Sequence, residues 1–361
     1  MPPRVTQRDI AREAGISHVA VSLALRDHHS ISKETKDRVR EIAQRIGYSP
    51  DPLLFSLSAY RKANRPAAYH SNLAWLNTYA NPKELYIGDF CEYFAGARQR
   101  CIELGYVLEE IRMADFDHNA ARVRRVLRNR GIKGILLAPA EAPDAELDLD
   151  LSSFSAVRFG YSFKSPVLHT VSNAQFRTAS LAVEHLLELG YQRIGMFISE
   201  DLNIRTGGNF MGGFNASLHK IPKERWIPPY RQMQMGDRSE VRRWLDRCKV
   251  DCVISHGFWL LMVLMELGVR IPEDIGYVDL ALNANEAKVS GMRQNSFMVG
   301  AMAVDQLNGL MIHGELGVPK VPMHIYVEGE WFEGTTVRQQ PERKPSPGKK
   351  PPRSPKSTRL N

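Results

Sequence analysis

The first 48 residues constrain this chain more than any other stretch. Thr6 stands where a helix needs an N-cap oxygen, and Asp9 holds the reciprocal position of a capping box. Ile10, Ala11 and Ala14 recur at helical spacing. Gly15 follows at once, where a tight turn between two crossing helices requires a residue that tolerates positive φ. Ser17 caps a second helix that runs to Leu25, with Val21, Ala24 and Leu25 facing inward. Ser32 caps a third, whose apolar stripe is Val39, Ile42, Ala43 and Ile46 and whose end is Gly47. The pattern predicts three amphipathic helices across residues 1–48 in a helix-turn-helix arrangement. The spacing alone also suits any three-helix bundle.

Residues 49–70 read as a linker rich in Pro and Ser. Within it, Asp51 and Pro52 form a strong helix start. Leu53, Leu54, Phe55 and Leu57 make the next turn almost wholly apolar, and a helix this short needs a partner in water. From 71 to 337 short apolar strands alternate with amphipathic helices. Leu73–Tyr79, Tyr106–Ile111, Gly134–Ala138, Ala156–Gly160, Arg193–Ile198, Cys252–Ser255 and Ile275–Leu280 read as strands. Helices are expected over Asp89–Leu104, His118–Arg130, Thr178–Leu189, Ser239–Cys248, Phe258–Leu267 and Phe297–Ile312. This rhythm implies an α/β fold of parallel doubly wound sheets, and the length fits two such sheets side by side. Residues 338–361 carry almost nothing apolar and are expected to be disordered.

Charge is distributed unevenly. Residues 1–65 hold 12 Lys/Arg against 7 Asp/Glu, and residues 338–361 hold 8 against 1, around a mildly acidic centre. Basic ends of this kind suit nucleic acid through release of phosphate counterions; a basic tail is also what a merely solvated end looks like. No run of about 18 apolar residues is present, so no transmembrane helix and no membrane partner are expected. The opening MPPRVTQRDI lacks the apolar stretch of a secretory signal, which points to the cytoplasm. Cys91, Cys101, Cys248 and Cys252 form no C-x-x-C pair and have no histidine at zinc spacing, so they read as reduced thiols with no metal.

The literal strings go further than the spacing. VTQRDIAREAGISHVAVSLAL and SISKETKDRVREIAQRIGYSPD resemble the N-terminal domain of the lactose/galactose-repressor family almost position by position. The resemblance returns in LAVEHLLELGYQRIGMF (181–197), LGVRIPEDIG (267–276) and GEWFEGTTV (329–337). It implies a helix-turn-helix domain over 1–48, a hinge helix and linker over 49–70, a two-lobed periplasmic-binding-protein-like domain over 71–337 that binds an effector and dimerises, and a basic tail over 338–361. It implies a homodimer on a pseudopalindromic DNA operator. The second helix lies in the major groove, with His18, Val19 and Leu23 facing bases and Ser17 and Ser22 touching phosphates. Thr6 and Ala20 complete the DNA-facing set. Ala20 stands where the family commonly has Thr, and Leu23 where it has a polar residue. Apolar Val19 and Leu23 suit thymine methyls, and His18 suits a purine N7; Leu23 equally suits a core position. In the hinge, Leu57 holds the position of a leucine that enters the minor groove.

The resemblance also implies a small-molecule effector between the lobes, a sugar being one such class. The family's polar cleft residues are poorly kept. His256-Gly257 replaces an asparagine–aspartate pair, Ala281 replaces an aspartate with Asp279 nearby, and Phe210 replaces an arginine. Arg205, Asn209, His256 and Gln294 are the remaining candidates for an effector site, each of which also reads as an ordinary loop residue. No P-loop, G-x-G-x-x-G after a strand, H-E-x-x-H or G-x-S-x-G is present, so no enzyme and no cofactor are expected. A solute-binding protein of the same fold is the reading from another class; the added helix-turn-helix argues against it. A regulator answering to a protein partner in place of a small molecule is the remaining alternative.

Overall fold

The computed structural model describes residues 5–25, 31–48, 71–86, 90–232, 238–282 and 288–341. The chain divides into two units, one within residues 1–68 and the other within 69–361. The expected hinge, with Asp51, Pro52 and Leu57, lies outside the described residues, as does the tail from 342 onward.

The first unit holds three helices, α1 (Gln7–Ala14), α2 (His18–Leu25) and α3 (Lys33–Arg45). The Thr6 backbone N–H and hydroxyl both donate to the Asp9 carboxylate, at 2.9 and 2.7 Å. Those bonds hold the Asp9 carboxyl below its ordinary range. Gly15 takes φ 67° and closes α1 by donating its N–H to the Ala11 carbonyl. Ser17 Oγ accepts the Ala20 N–H at 3.1 Å and Ser32 Oγ that of Thr35 at 3.3 Å, satisfying donors that a helix start leaves open. Ile10, Ala14, Val21, Ala24, Val39, Ile42 and Ala43 are buried together as one core. Burial of each of the larger aliphatics contributes about 1.5–3 kcal/mol, which the small alanines make reachable by letting the helices approach.

The second unit has two six-stranded sheets. In the first the order is β13-β7-β5-β3-β1-β2, from β1 (Ser71–Asn77), β2 (Tyr106–Arg112), β3 (Gly134–Leu137), β5 (Ser155–Phe159), β7 (His169–Asn173) and β13 (His324–Val327), every pair parallel. In the second the order is β14-β12-β11-β10-β8-β9, from β8 (Ile194–Ser199), β9 (Tyr230–Gln232), β10 (Cys252–Ser255), β11 (Gly276–Leu282), β12 (Gly291–Arg293) and β14 (Glu330–Phe332). There only β14 runs antiparallel to its neighbour. A small parallel pair joins β4 (Ala145–Glu146) to β6 (Phe163–Ser165).

Each sheet is packed on both faces. Along β1, Leu73 and Trp75 enter one core and Ala74 and Leu76 the other, as the two-residue pleat requires. Helices α4 (Phe90–Leu104) and α11 (Ser296–His313) cover the first face, and α5 (Ala120–Asn129) the second. On the second sheet, α6 (Gln175–Glu188) and α8 (Asn209–Ser217) cover one face, and α9 (Arg238–Cys248) and α10 (Phe258–Glu266) the other. The short α7 (Glu200–Arg205) leaves the end of β8.

The chain passes between the sheets three times, from β7 into α6, from β12 into α11, and from β13 to β14. These crossings are tied side by side. The Ala174 N–H donates to the Val327 carbonyl at 2.9 Å, and the Asn295 amide to that of Glu328 at 2.6 Å. Two differences from the sequence reading stand out. Strands β7, β12, β13 and β14 and helices α7 and α8 have no counterpart in the periodicity of the sequence, because each is short or has polar residues on its buried side. The chain also stays on the second lobe past 337: the Arg338 N–H donates to the Tyr191 hydroxyl and the Gln340 N–H to the Leu189 carbonyl, which the end of α6 leaves unpaired.

Candidate nucleic-acid interface and ligand cleft

In the first unit, the turn at Gly15 and the Ser17 cap fix the start of α2. Thr6, Ser17 and His18 are exposed, while Ala20, Ser22 and Leu23 are partly so. Leu23 is not among the side chains that pack against the three-helix core, whereas Leu25 is. That geometry favours an outward role for Leu23 over the core position its chemistry also suits. Nothing is described of the Val19 side chain.

In the second unit a cleft of about 430 Å³ opens between the sheets, at the carboxyl ends of their strands, where open parallel sheets bind ligands. Tyr79, Pro139, Phe159, Gly160, Tyr161, Ser162, Ser172 and Asn173 come from the ends of strands in the first sheet, with Phe90 and Tyr93 from α4. The second lobe contributes Leu202, Arg205, Thr206, Phe210, His256, Gly257, Phe258 and Ala281, and Gln175 and Gln294 lie at the crossings. Of the four residues singled out in the sequence, Arg205, His256 and Gln294 are brought to this cleft. Asn209 is not among its lining residues; as the first residue of α8 its amide turns back to the Thr206 carbonyl at 2.8 Å.

Arg205 joins the lobes. Its guanidinium donates to the Ala140 carbonyl at 2.7 Å, and its own carbonyl accepts the Tyr161 N–H at 3.2 Å. The Gln294 amide donates to the Leu280 carbonyl at 2.6 Å, which leaves Oε1 buried without a partner. Asn173 donates to the Tyr93 hydroxyl at 2.9 Å, and its Oδ1 is likewise buried and unpartnered. Beneath the second-lobe wall, Asp279 is buried and its carboxyl is pushed up by desolvation, against the opposing influence of His256 and of the backbone N–H groups of Ala281 and Gly257. The aromatic rings other than Phe210, and Asn173, carry no signal in the sequence that marks them for the cleft. What marks them is their place at strand ends, which only the correct strand boundaries reveal.

Among the described residues no group of three or more His, Cys, Asp and Glu is placed to hold a metal, and no helix is long and apolar enough to cross a membrane. Cys101 is buried in α4, and burial pushes its thiol up to about 12, as expected for a core residue.

Comparison with known proteins fits both halves of this geometry. Residues 6–51 match the family described as bacterial regulatory proteins, lacI family. Residues 76–243 match periplasmic binding proteins and sugar binding domain of LacI family. The HTH-type transcriptional repressor PurR of Haemophilus influenzae (strain PittEE) is 24% identical over 327 residues, covering 87% of this chain and 93% of that one. The HTH-type transcriptional regulator GntR of Pseudomonas aeruginosa is 25% identical over 339 residues, covering 87% and 91%. Among solved structures, a transcriptional regulator CelR–cellobiose complex aligns with a TM-score of 0.54 at 19% identity, over 92% of this chain and all of that one. A lac repressor dimer bound to operator and the anti-inducer ONPF aligns with a TM-score of 0.53 at 15% identity, over 93% and 100%. The class is that of DNA-binding transcriptional regulators with a two-lobed α/β sensing domain. This chain belongs to its lactose/galactose-repressor family.

Proposed function

We propose that the chain acts in the cytoplasm as a homodimeric repressor on a pseudopalindromic operator, and that a small molecule in the interlobe cleft modulates its hold on DNA. It carries no catalytic role of its own. The observation that carries this reading is the pairing, in one chain, of a helix-turn-helix whose second helix exposes His18 with a 430 Å³ cleft between two α/β lobes. His18, Val19 and Leu23 read bases; Thr6, Ser17, Ala20 and Ser22 fix the helix against the backbone; and Leu57 enters the minor groove. Arg205, His256 and Gln294 contact the effector, with Asn209 behind them. The lac repressor's dimer on operator and the cellobiose on CelR are the precedents for partner and ligand. Support for a second copy comes from α10, which exposes Phe258, Met262 and Met265 along one side. A protein partner in place of the small molecule fits less well, because Arg205, His256 and Gln294 line a cleft between the two lobes.

Selection from a random-sequence duplex library with the intact chain tests this. An enriched inverted repeat with two equivalent half-sites is expected, because a two-fold dimer reads a two-fold site. A single asymmetric half-site, or no enrichment at all, contradicts the proposal.

A further inference from the structure

Aromatic rings wall much of the cleft. Tyr79, Tyr93 and Phe159 wall it from one lobe, and Phe210 and Phe258 from the other. Tyr93 and Phe159 stack with centroids 5.3 Å apart, and Phe210 leans on His256 at 6.3 Å. Among the described lining residues none is Asp or Glu. Several of the cleft's hydroxyls already hold partners within the protein. Ser162 Oγ accepts the Ala140 N–H at 2.8 Å, Ser172 and Gln175 bond each other at 2.9 Å, and the Thr206 hydroxyl donates to the Leu202 carbonyl at 2.8 Å. Every sugar hydroxyl left unpaired in such a site carries a desolvation cost.

Three groups are left over. Arg205 is partly buried and pairs with no carboxylate among the described residues; its acceptors are the neutral Ala140 carbonyl and the Tyr79 hydroxyl. A guanidinium in that setting has N–H donors whose best complement is an anion, bound bidentately where it is a carboxylate. The other two groups are acceptors, Asn173 Oδ1 and Gln294 Oε1, each buried without a donor.

We infer that the cleft takes a planar aromatic carboxylate bearing an O–H or N–H donor. The ring lies among the aromatic walls, the carboxylate on Arg205, and the donor on Asn173 or Gln294. This rests on the effector-site reading proposed above. Because Arg205 is also the side chain that reaches from one lobe to the other, a carboxylate that recruits it acts on the contact that sets how the lobes meet.

Calorimetric titration of the intact chain tests the class with three probes: 4-hydroxybenzoate, its neutral analogue 4-hydroxybenzyl alcohol, and cellobiose. The expected result is saturable binding of the acid, at least thirty-fold weaker binding of the alcohol, and no heat from cellobiose. Arg205→Gln is expected to weaken the acid by thirty-fold or more and leave the alcohol unchanged, while Arg205→Lys recovers part of the loss. Thermal midpoints of both variants establish that they fold, and the acid-to-alcohol preference is read only on folded protein. Binding of cellobiose but not the acid, abolished by Gln294→Ala, overturns the aromatic class and leaves the effector site standing. Acid binding that ignores Arg205→Gln overturns the carboxylate assignment. Binding of none of the three, with the parent folded and holding its selected duplex, overturns the class and removes the support for a small-molecule site as well.

Discussion

At the scale of single residues, the two units place different demands on their polar side chains. His18 is exposed at the start of α2, where Ser17 has already satisfied the backbone. His18→Ala should therefore leave folding intact while relaxing base preference at one symmetric pair of operator positions, at a cost of roughly 1–3 kcal/mol. Repeating the selection with the variant checks this; an unchanged motif counts against a base contact. His169 does the opposite job. It is buried on β7, and its Nδ1 accepts the Met323 N–H at 3.0 Å, tying down the approach to β13. Burial holds its pKa below the ordinary 6.5. The neutral ring contributes stability that is present above the unfolded pKa and lost as pH falls through the lower folded one. Denaturant midpoints should therefore drop as pH falls below about 6.5, the ordinary histidine value, and His169→Gln should flatten that component. Equal pH slopes in parent and variant would show that the ring does not titrate with folding.

At the scale of elements, the cleft depends on a close helix crossing. A Cβ on Gly96 of α4 would meet the Phe297 carbonyl oxygen at 1.9 Å, and one on Gly300 of α11 would meet that of Tyr93 at 2.0 Å. The two glycines let the helix backbones touch and so fix Tyr93, which lines the cleft. Overpacking of this kind costs about 1–3 kcal/mol or more. Gly300→Ala should lower the unfolding free energy by at least that amount and displace Tyr93, whereas Gly309→Ala, with open space on the same helix, should stabilise it slightly. Chemical denaturation of both variants decides this, and equal stability would mean that the crossing is looser than the backbone geometry implies. This contrast also marks where the sequence was legible. The helix-turn-helix core, from Ile10 to Ala43, followed from periodicity and caps because each of its contacts has a local signature. The βα rhythm gave the long helices and most central strands. It missed β7, whose polar His169, Thr170, Ser172 and Asn173 are all buried, and the edge strands β13 and β14, which are short. Arg205, His256 and Gln294 follow from the family resemblance, whose cleft positions they occupy or neighbour, but the aromatic walls other than Phe210 look like ordinary core in a sequence. Which face of a strand end opens on a cleft is a tertiary fact.

At the scale of the whole molecule, the helix-turn-helix and the two-lobed domain belong to separate units of one chain, and Leu57 follows the helix-turn-helix in sequence, outside the described residues. A wedge leucine is expected to matter for the operator and not for charge-driven contact. Leu57→Ala should weaken operator binding ten-fold or more, roughly 1.4 kcal/mol, while binding to unrelated duplex barely moves. Mobility-shift titration on both duplexes, with a bending assay on the first, checks this; survival of both affinity and bend would make Leu57 a packing residue. The central claim, that this chain recognises a particular DNA sequence, is tested most directly by equilibrium titration of the intact chain against the selected duplex and a shuffled duplex of the same length and composition, at one ionic strength of roughly 0.15 M. The selected duplex should bind at least about a thousand-fold more tightly. Affinities within about ten-fold of each other would mean that the basic ends hold DNA by charge alone, and that the helix-turn-helix does not read it.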